Sequence, residues 1–132
     1  MSGFSHEILQ EKRVLQNNRC SLLNLEVDVL EGHHALPKAL GGSNNKHNCI
    51  LLAGYHATCA YGVEVPDVHE KNDQKAFKER LFLHPDTLQY VTIDQMPEDC
   101  FRGDKEATIR KLEIGQSCAE RKSHKKKKKH HK

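Results

Sequence analysis

The 132-residue sequence predicts an α+β protein: a two-stranded antiparallel hairpin with a loop, a helix after it, and additional helices around that core. Three observations carry this. Leu25-Glu26-Val27-Asp28-Val29-Leu30 alternates apolar and acidic side chains, the period of a half-buried strand. Cys49-Ile50-Leu51-Leu52 is a short apolar run bounded by Asn48 and Gly54, which suits a second strand antiparallel to the first. Between them, Pro37 and Gly41-Gly42-Ser43-Asn44-Asn45 carry strong turn chemistry.

The remaining elements follow in order. Residues 6–20 have helix-forming composition, with Ile8, Leu9, Val14 and Leu15 as a loose apolar face and Asn17-Asn18 as the stop. His56 opens a short helical stretch from Ala57 to Tyr61, ended by Gly62. Pro66-Asp67 starts a helix through about Leu83, with Ala76, Phe77, Leu81 and Phe82 as its apolar contacts and His84-Pro85 as its stop. A strand or extended piece is expected at 88–93. A last amphipathic helix is expected at 104–114, with Ala107, Ile109 and Leu112 inward and Gly115 as cap. From Ser117 the sequence turns polar and then becomes a Lys/His run, which cannot form a core and is expected to be disordered.

Composition narrows the function classes. A chain that is 36% hydrophobic and lacks Trp supports one small domain rather than a large core. Five cysteines, at 20, 49, 59, 100 and 118, include no CxxC pair, which argues against a complete zinc ribbon. Their odd number argues against a full disulfide framework. Cys49 and Cys59 read as small buried apolar residues rather than nucleophiles. No basic-then-apolar leader opens the chain and no run approaches membrane-spanning length, so an intracellular, cytoplasmic setting without a membrane partner is expected. Eight Lys and Arg lie from Arg121 onward; removing them takes the formal net charge from +3 to −5 for residues 1–120. The body is therefore mildly acidic. Any nonspecific attraction to phosphate would come from Arg121, Lys122, Lys125, Lys126, Lys127, Lys128 and Lys129.

Glu31-Gly32-His33-His34-Ala35-Leu36-Pro37 places adjacent imidazoles on a strand end, pointing to opposite sides of the backbone. One can hold a metal while the other moves protons near neutrality. Asn48 and His56 follow closely. The order strand, His-His, glycine-rich loop, Asn, strand, His, helix resembles the HNH endonuclease family, whose site sits in a ββα-metal fold. The resemblance spans roughly Arg13 to Gly62 and is densest from His33 to His56. The lead-in Arg13-Val14-Leu15, Arg19-Cys20 and Leu25-Glu26-Val27 is similar as well.

The resemblance implies a nuclease domain over 1–116, with a core at about 13–62, a helical extension at 63–116 and a basic tail at 117–132. His34, three before Pro37, takes the general-base position. Asn48 takes the position that orients this base through the loop backbone. His33 and His56 take the metal-ligand positions, and Lys38 could touch a phosphate as a point charge. Position 60 is Ala where many relatives carry a further His or Asn, and His69 is a more distant substitute that is not favoured. Leu23 and Ala53 stand where zinc-binding relatives have Cys, so no structural zinc is expected.

The implied reaction is hydrolysis of DNA phosphodiester bonds with one divalent metal, as in phage-encoded, homing or packaging-associated nucleases. Two imidazoles suit Mn²⁺, Co²⁺ or Ni²⁺ at least as well as Mg²⁺. RNA as the substrate is one alternative, and a catalytically weak nucleic-acid-binding accessory protein is another. Cutting both strands would call for a homodimer or for two encounters, and association with a larger nucleoprotein machine is an alternative.

Overall fold

In a computed structural model of the chain, residues 3–115 are described; the basic tail expected at 117–132 lies outside them. The described residues form three helices and two small antiparallel hairpins, an α+β arrangement. Helix α1 is His6–Leu15, capped by the Ser5 hydroxyl accepting from the Ile8 N–H. It ends where expected: Asn17 and Asn18 both adopt left-handed backbone, at φ 52° and 56°. Asn tolerates that region better than most residues. Ile8 and Leu9 are packed inward as expected, whereas Val14 and Leu15 are exposed; the end of α1 is held to β2 by the Gln16 side chain, which bonds the Leu51 N–H and carbonyl.

Strands β1 (Leu30–His34) and β2 (Cys49–Ala53) form the central hairpin, with His34 opposite Cys49 and Leu30 opposite Ala53. The double histidine thus forms the end of the strand, as expected. Residues 25–29, expected to be the strand itself, are held by isolated bridges, Glu26 to Arg19 and Val27 to Cys59. The reason is pairing: the apolar run of β2 matches residues 30–34 in register, and a strand needs a partner more than it needs alternation. Every residue of β2 is buried because both faces of the hairpin are covered. Cys49 and Leu51 face α1 with Phe4, Ile8 and Leu9, while Ile50 and Leu52 enter the main core. Burying Leu51 and Leu52 completely is worth roughly 1.5–3 kcal/mol each.

The stretch 57–61 is not a helix. His56 itself sits at φ 56°, which cannot begin one. The Asp28 carboxylate accepts from both the N–H and the hydroxyl of Thr58, and Gly62, at φ 75°, closes a turn back to Cys59. These bonds hold the Asp28 carboxyl below its usual value. A carboxylate with a lowered folded-state value stabilises the fold above its unfolded value and loses that contribution as pH falls through the folded one. The stability difference between the native chain and Asp28→Ala, read as the urea midpoint, is therefore expected to be small at neutral pH. It should close as pH drops below about 4; a constant difference down to pH 2 would contradict this account.

Helix α2 is Val68–Gln74, capped by the Asp67 carboxylate on the Glu70 N–H, and it continues as a π-turn over Lys75–Glu79. It stops at Arg80, in left-handed backbone, ahead of the expected His84-Pro85. Phe82-Leu83 instead pair as β3 with β4 (Tyr90–Val91). That releases Phe82 into the core as part of a strand, while Phe77 stays half exposed. Helix α3, residues 105–115, is capped by Asp104 and sends Ile109 and Leu112 toward the core as expected. Cys20, Leu23 and Ala53, at the positions where zinc-binding cysteines would fall, share one apolar cluster. No helix among the described residues is long and apolar enough to cross a membrane.

Candidate active site

Strand alternation puts Glu31 and His33 on one face of β1 and Gly32 and His34 on the other. Helix α2 crosses the first face. Its residues His69 and Asp73, four apart and therefore on the same side of the helix, meet His33 there. His33 Nδ1 lies 3.2 Å from Asp73 Oδ1, and His69 Nε2 lies 3.5 Å from Asp73 Oδ2. One donor atom from each of the three falls within 4.8 Å of the others. Ligands of one ion lie roughly 3–4 Å apart, so the three donors would have to draw closer to share a cation.

His33 is 1% exposed, and its Nδ1 has no hydrogen-bond partner of proper geometry despite the nearby carboxylate. Burial pushes its imidazole below the ordinary value, with Asp73 pulling partly back, so the ring is neutral at pH 7. Burial by itself would raise the Asp73 carboxyl; the imidazoles of His33 and His69 outweigh it, and the group ends lowered and ionised. A neutral imidazole nitrogen and a carboxylate oxygen this close repel unless a proton or a cation lies between them. Two nitrogens, one carboxylate and an orphaned buried ring nitrogen fit a divalent cation.

His34 occupies the other face. Its ring stacks on Phe4 with centroids 3.9 Å apart, and its Nε2 is 2.9 Å from Asn44 Oδ1. Half-burial lowers its imidazole below the ordinary value, the Asn44 bond opposing. Among the described residues β1 pairs only with β2, so no third strand lies along its outer edge. His34, Lys38, His69 and Asp73 line one cleft of about 330 Å³. Lys38 is exposed on the 3₁₀ turn Lys38–Leu40.

Asn48 is completely buried beneath the loop. Its Oδ1 accepts from the Leu36 N–H at 2.8 Å, and its Nδ2 donates to the carbonyls of Leu36 and Ser43 at 2.9 Å each. One amide thus ties both limbs of the loop together two residues after His34. Gly42 makes the closure feasible, since a Cβ there would lie 1.7 Å from the Leu36 carbonyl oxygen.

His56 is not brought to His33. It follows Ala53, at the Leu30 end of the hairpin, where it is exposed, pairs with Glu64 and lies tilted against the Tyr55 ring. The cluster takes His69 and Asp73 instead, from a helix that residue order alone does not assign to the sheet. The His-x-x-x-Asp spacing on that helix and the Glu-x-His spacing on β1 were the available signals. Asn44 and Phe4 had none beyond the turn composition. Of the cysteines, Cys49 is pushed up to about 11 and Cys100 to about 12 by burial, so neither is an active thiolate. A surface hollow of about 770 Å³ is lined by Asp94, Glu98, Asp99, Asp104 and Glu106 against the cation Lys105, a net negative lining that disfavours a phosphate. Comparison of the chain with family models, with curated proteins and with solved structures finds no match.

Proposed function

We propose that this chain is a metal-dependent endonuclease of the HNH type, built on a ββα-metal core of β1, β2 and α2. The observation that carries the reading is the cleft in which a neutral, half-buried His34 stands beside a His33-His69-Asp73 cluster. Such a juxtaposition joins a proton acceptor to a cation site, and hydrolysis of a phosphodiester needs both. A divalent cation bound by His33, His69 and Asp73 would offset the charge that builds on the phosphate and the leaving oxygen. His34 takes the proton of the attacking water. Lys38 adds a positive charge at the mouth, and Asn48 keeps the loop that carries both in place. In this reading His69 and Asp73 replace His56 as the partners of His33.

Asp73 adds a hard oxygen to two imidazoles, so Mg²⁺ is a competent metal and Mn²⁺ and Co²⁺ are expected to serve at least as well. Supercoiled plasmid with Mn²⁺ should yield nicked circles, and chelation should stop it. Asp73→Asn should lose both nicking and the rise in melting temperature that Mn²⁺ confers by binding only the folded state. Nicking that persists in the variant or in chelator overturns the proposal. The same assay on a single-stranded RNA decides between the two nucleic acids, and a protein that binds Mn²⁺ and plasmid without cutting either would be the accessory protein instead.

A further inference from the structure

We propose that Glu31 is a positioning residue for the metal centre, setting the tautomer and ring angle of His69, and that Gly54 is glycine to leave room for its carboxylate. The inference rests on the metal-centre reading above. Glu31 lies two residues before His33 on the same face of β1, so both reach toward α2. Glu31 Oε1 is 3.1 Å from His69 Nδ1, while Asp73 faces the opposite nitrogen, Nε2. Both ring nitrogens face a carboxylate, which only accepts; Glu31 is the nearer, at 3.1 Å against 3.5 Å for Asp73, so a single ring proton favours Nδ1 and leaves the lone pair on Nε2. That lone pair then points to where His33 and Asp73 converge.

Two further observations support an outer position for Glu31. Its oxygen sits across the His69 ring from Asp73, and Glu31 is not part of the three-donor group. Gly54 is buried just past the end of β2, and a Cβ there would stand 2.1 Å from Glu31 Oε1 and 2.4 Å from its Cδ. Gly54 does not occupy the left-handed region, so its backbone would accept any residue. A Cβ at 54 would push the flexible Glu31 carboxylate out of the place it now holds. Carboxylates that hold a ligand histidine in this way typically raise metal affinity 10–100-fold.

Long-range ¹H–¹⁵N spectra of the metal-free protein, taken above the imidazole titration range, read the tautomer directly. The native chain should show His69 protonated at Nδ1. Glu31→Ala, and Gly54→Ala by displacing the carboxylate, should shift it toward the Nε2–H form. Visible titration with Co²⁺ gives the second readout: Glu31→Ala should weaken binding about 10–100-fold. Glu31→Gln should recover part of the loss, because its amide oxygen still accepts from Nδ1–H. Both Glu31 variants change a half-exposed side chain and are expected to fold even if Gly54→Ala does not. A native His69 protonated at Nε2, or Co²⁺ binding as tight in Glu31→Ala as in the native chain, overturns the proposal alone. A native chain that binds no Co²⁺ overturns the metal centre and this inference with it.

Discussion

Replacing His34 by Ala is expected to slow plasmid nicking by about 10²–10⁴-fold, the usual contribution of a positioned general base. Mn²⁺ affinity should stay within a factor of two or so, since on strand alternation the cluster stands on the opposite face of β1 and takes no atom from His34. The ring is already neutral at pH 7, because half-burial disfavours its charged form. Removing it uncovers one face of the buried Phe4 ring and deletes the exposed bond to Asn44, so a modest loss of stability is expected. Added imidazole should restore part of the rate by occupying the space left beside the cleft. Three measurements on one preparation decide the matter: nicking rate, Mn²⁺ affinity by calorimetry and melting temperature. Undiminished cleavage would remove His34 from the mechanism, and a parallel loss of metal affinity would make it a ligand rather than a base.

Asn48→Ala should be the most destabilising single change in the site, on the order of 3–5 kcal/mol, because it orphans the buried Leu36 N–H and two buried carbonyls. Asn48→Asp should do no better. Its carboxylate can still accept from Leu36, but its second oxygen would face the carbonyls of Leu36 and Ser43, with no proton between them and no water nearby to screen the charge. Urea unfolding of both variants gives the magnitude. If instead both variants fold with native stability yet fail to cut, Asn48 acts on the substrate directly and the loop-clamp role is wrong. The two predictions separate cleanly: His34 is expected to matter to rate far more than to stability, and Asn48 to stability first, with rate following only as the loop loosens.

Much of this was legible from residue order. The second strand, the stop of α1 at Asn17-Asn18 and the inward face of α3 all came from patterns a few residues long, and local physics governs such patterns. Adjacent histidines on opposite faces followed from the two-residue period of a strand, whatever its partner. Asn48 was assigned to the loop by the family resemblance, and its amide bonds the Leu36 N–H and the Leu36 and Ser43 carbonyls there.

Other readings failed for a common reason. Alternation marked 25–30 as the strand, yet pairing energy moved it to 30–34. His56 was the nearest histidine along the chain and was taken as the second ligand, but left-handed backbone at His56 and the tie between Asp28 and Thr58 turn that segment away from His33.

The sequence by itself determined the kinds of groups available: a strand-borne pair of imidazoles, a clamped loop and a helix with His and Asp four residues apart. Only the tertiary structure decided which of them meet. Helix α2 returns onto β1 and β2 after a turn-rich excursion, with Val68 and, in the π-turn that follows it, Ala76 buried in the shared core. That packing is a sum over residues distant in sequence, so no local pattern encodes it. It is also what brings Asp73 to within 3.2 Å of His33.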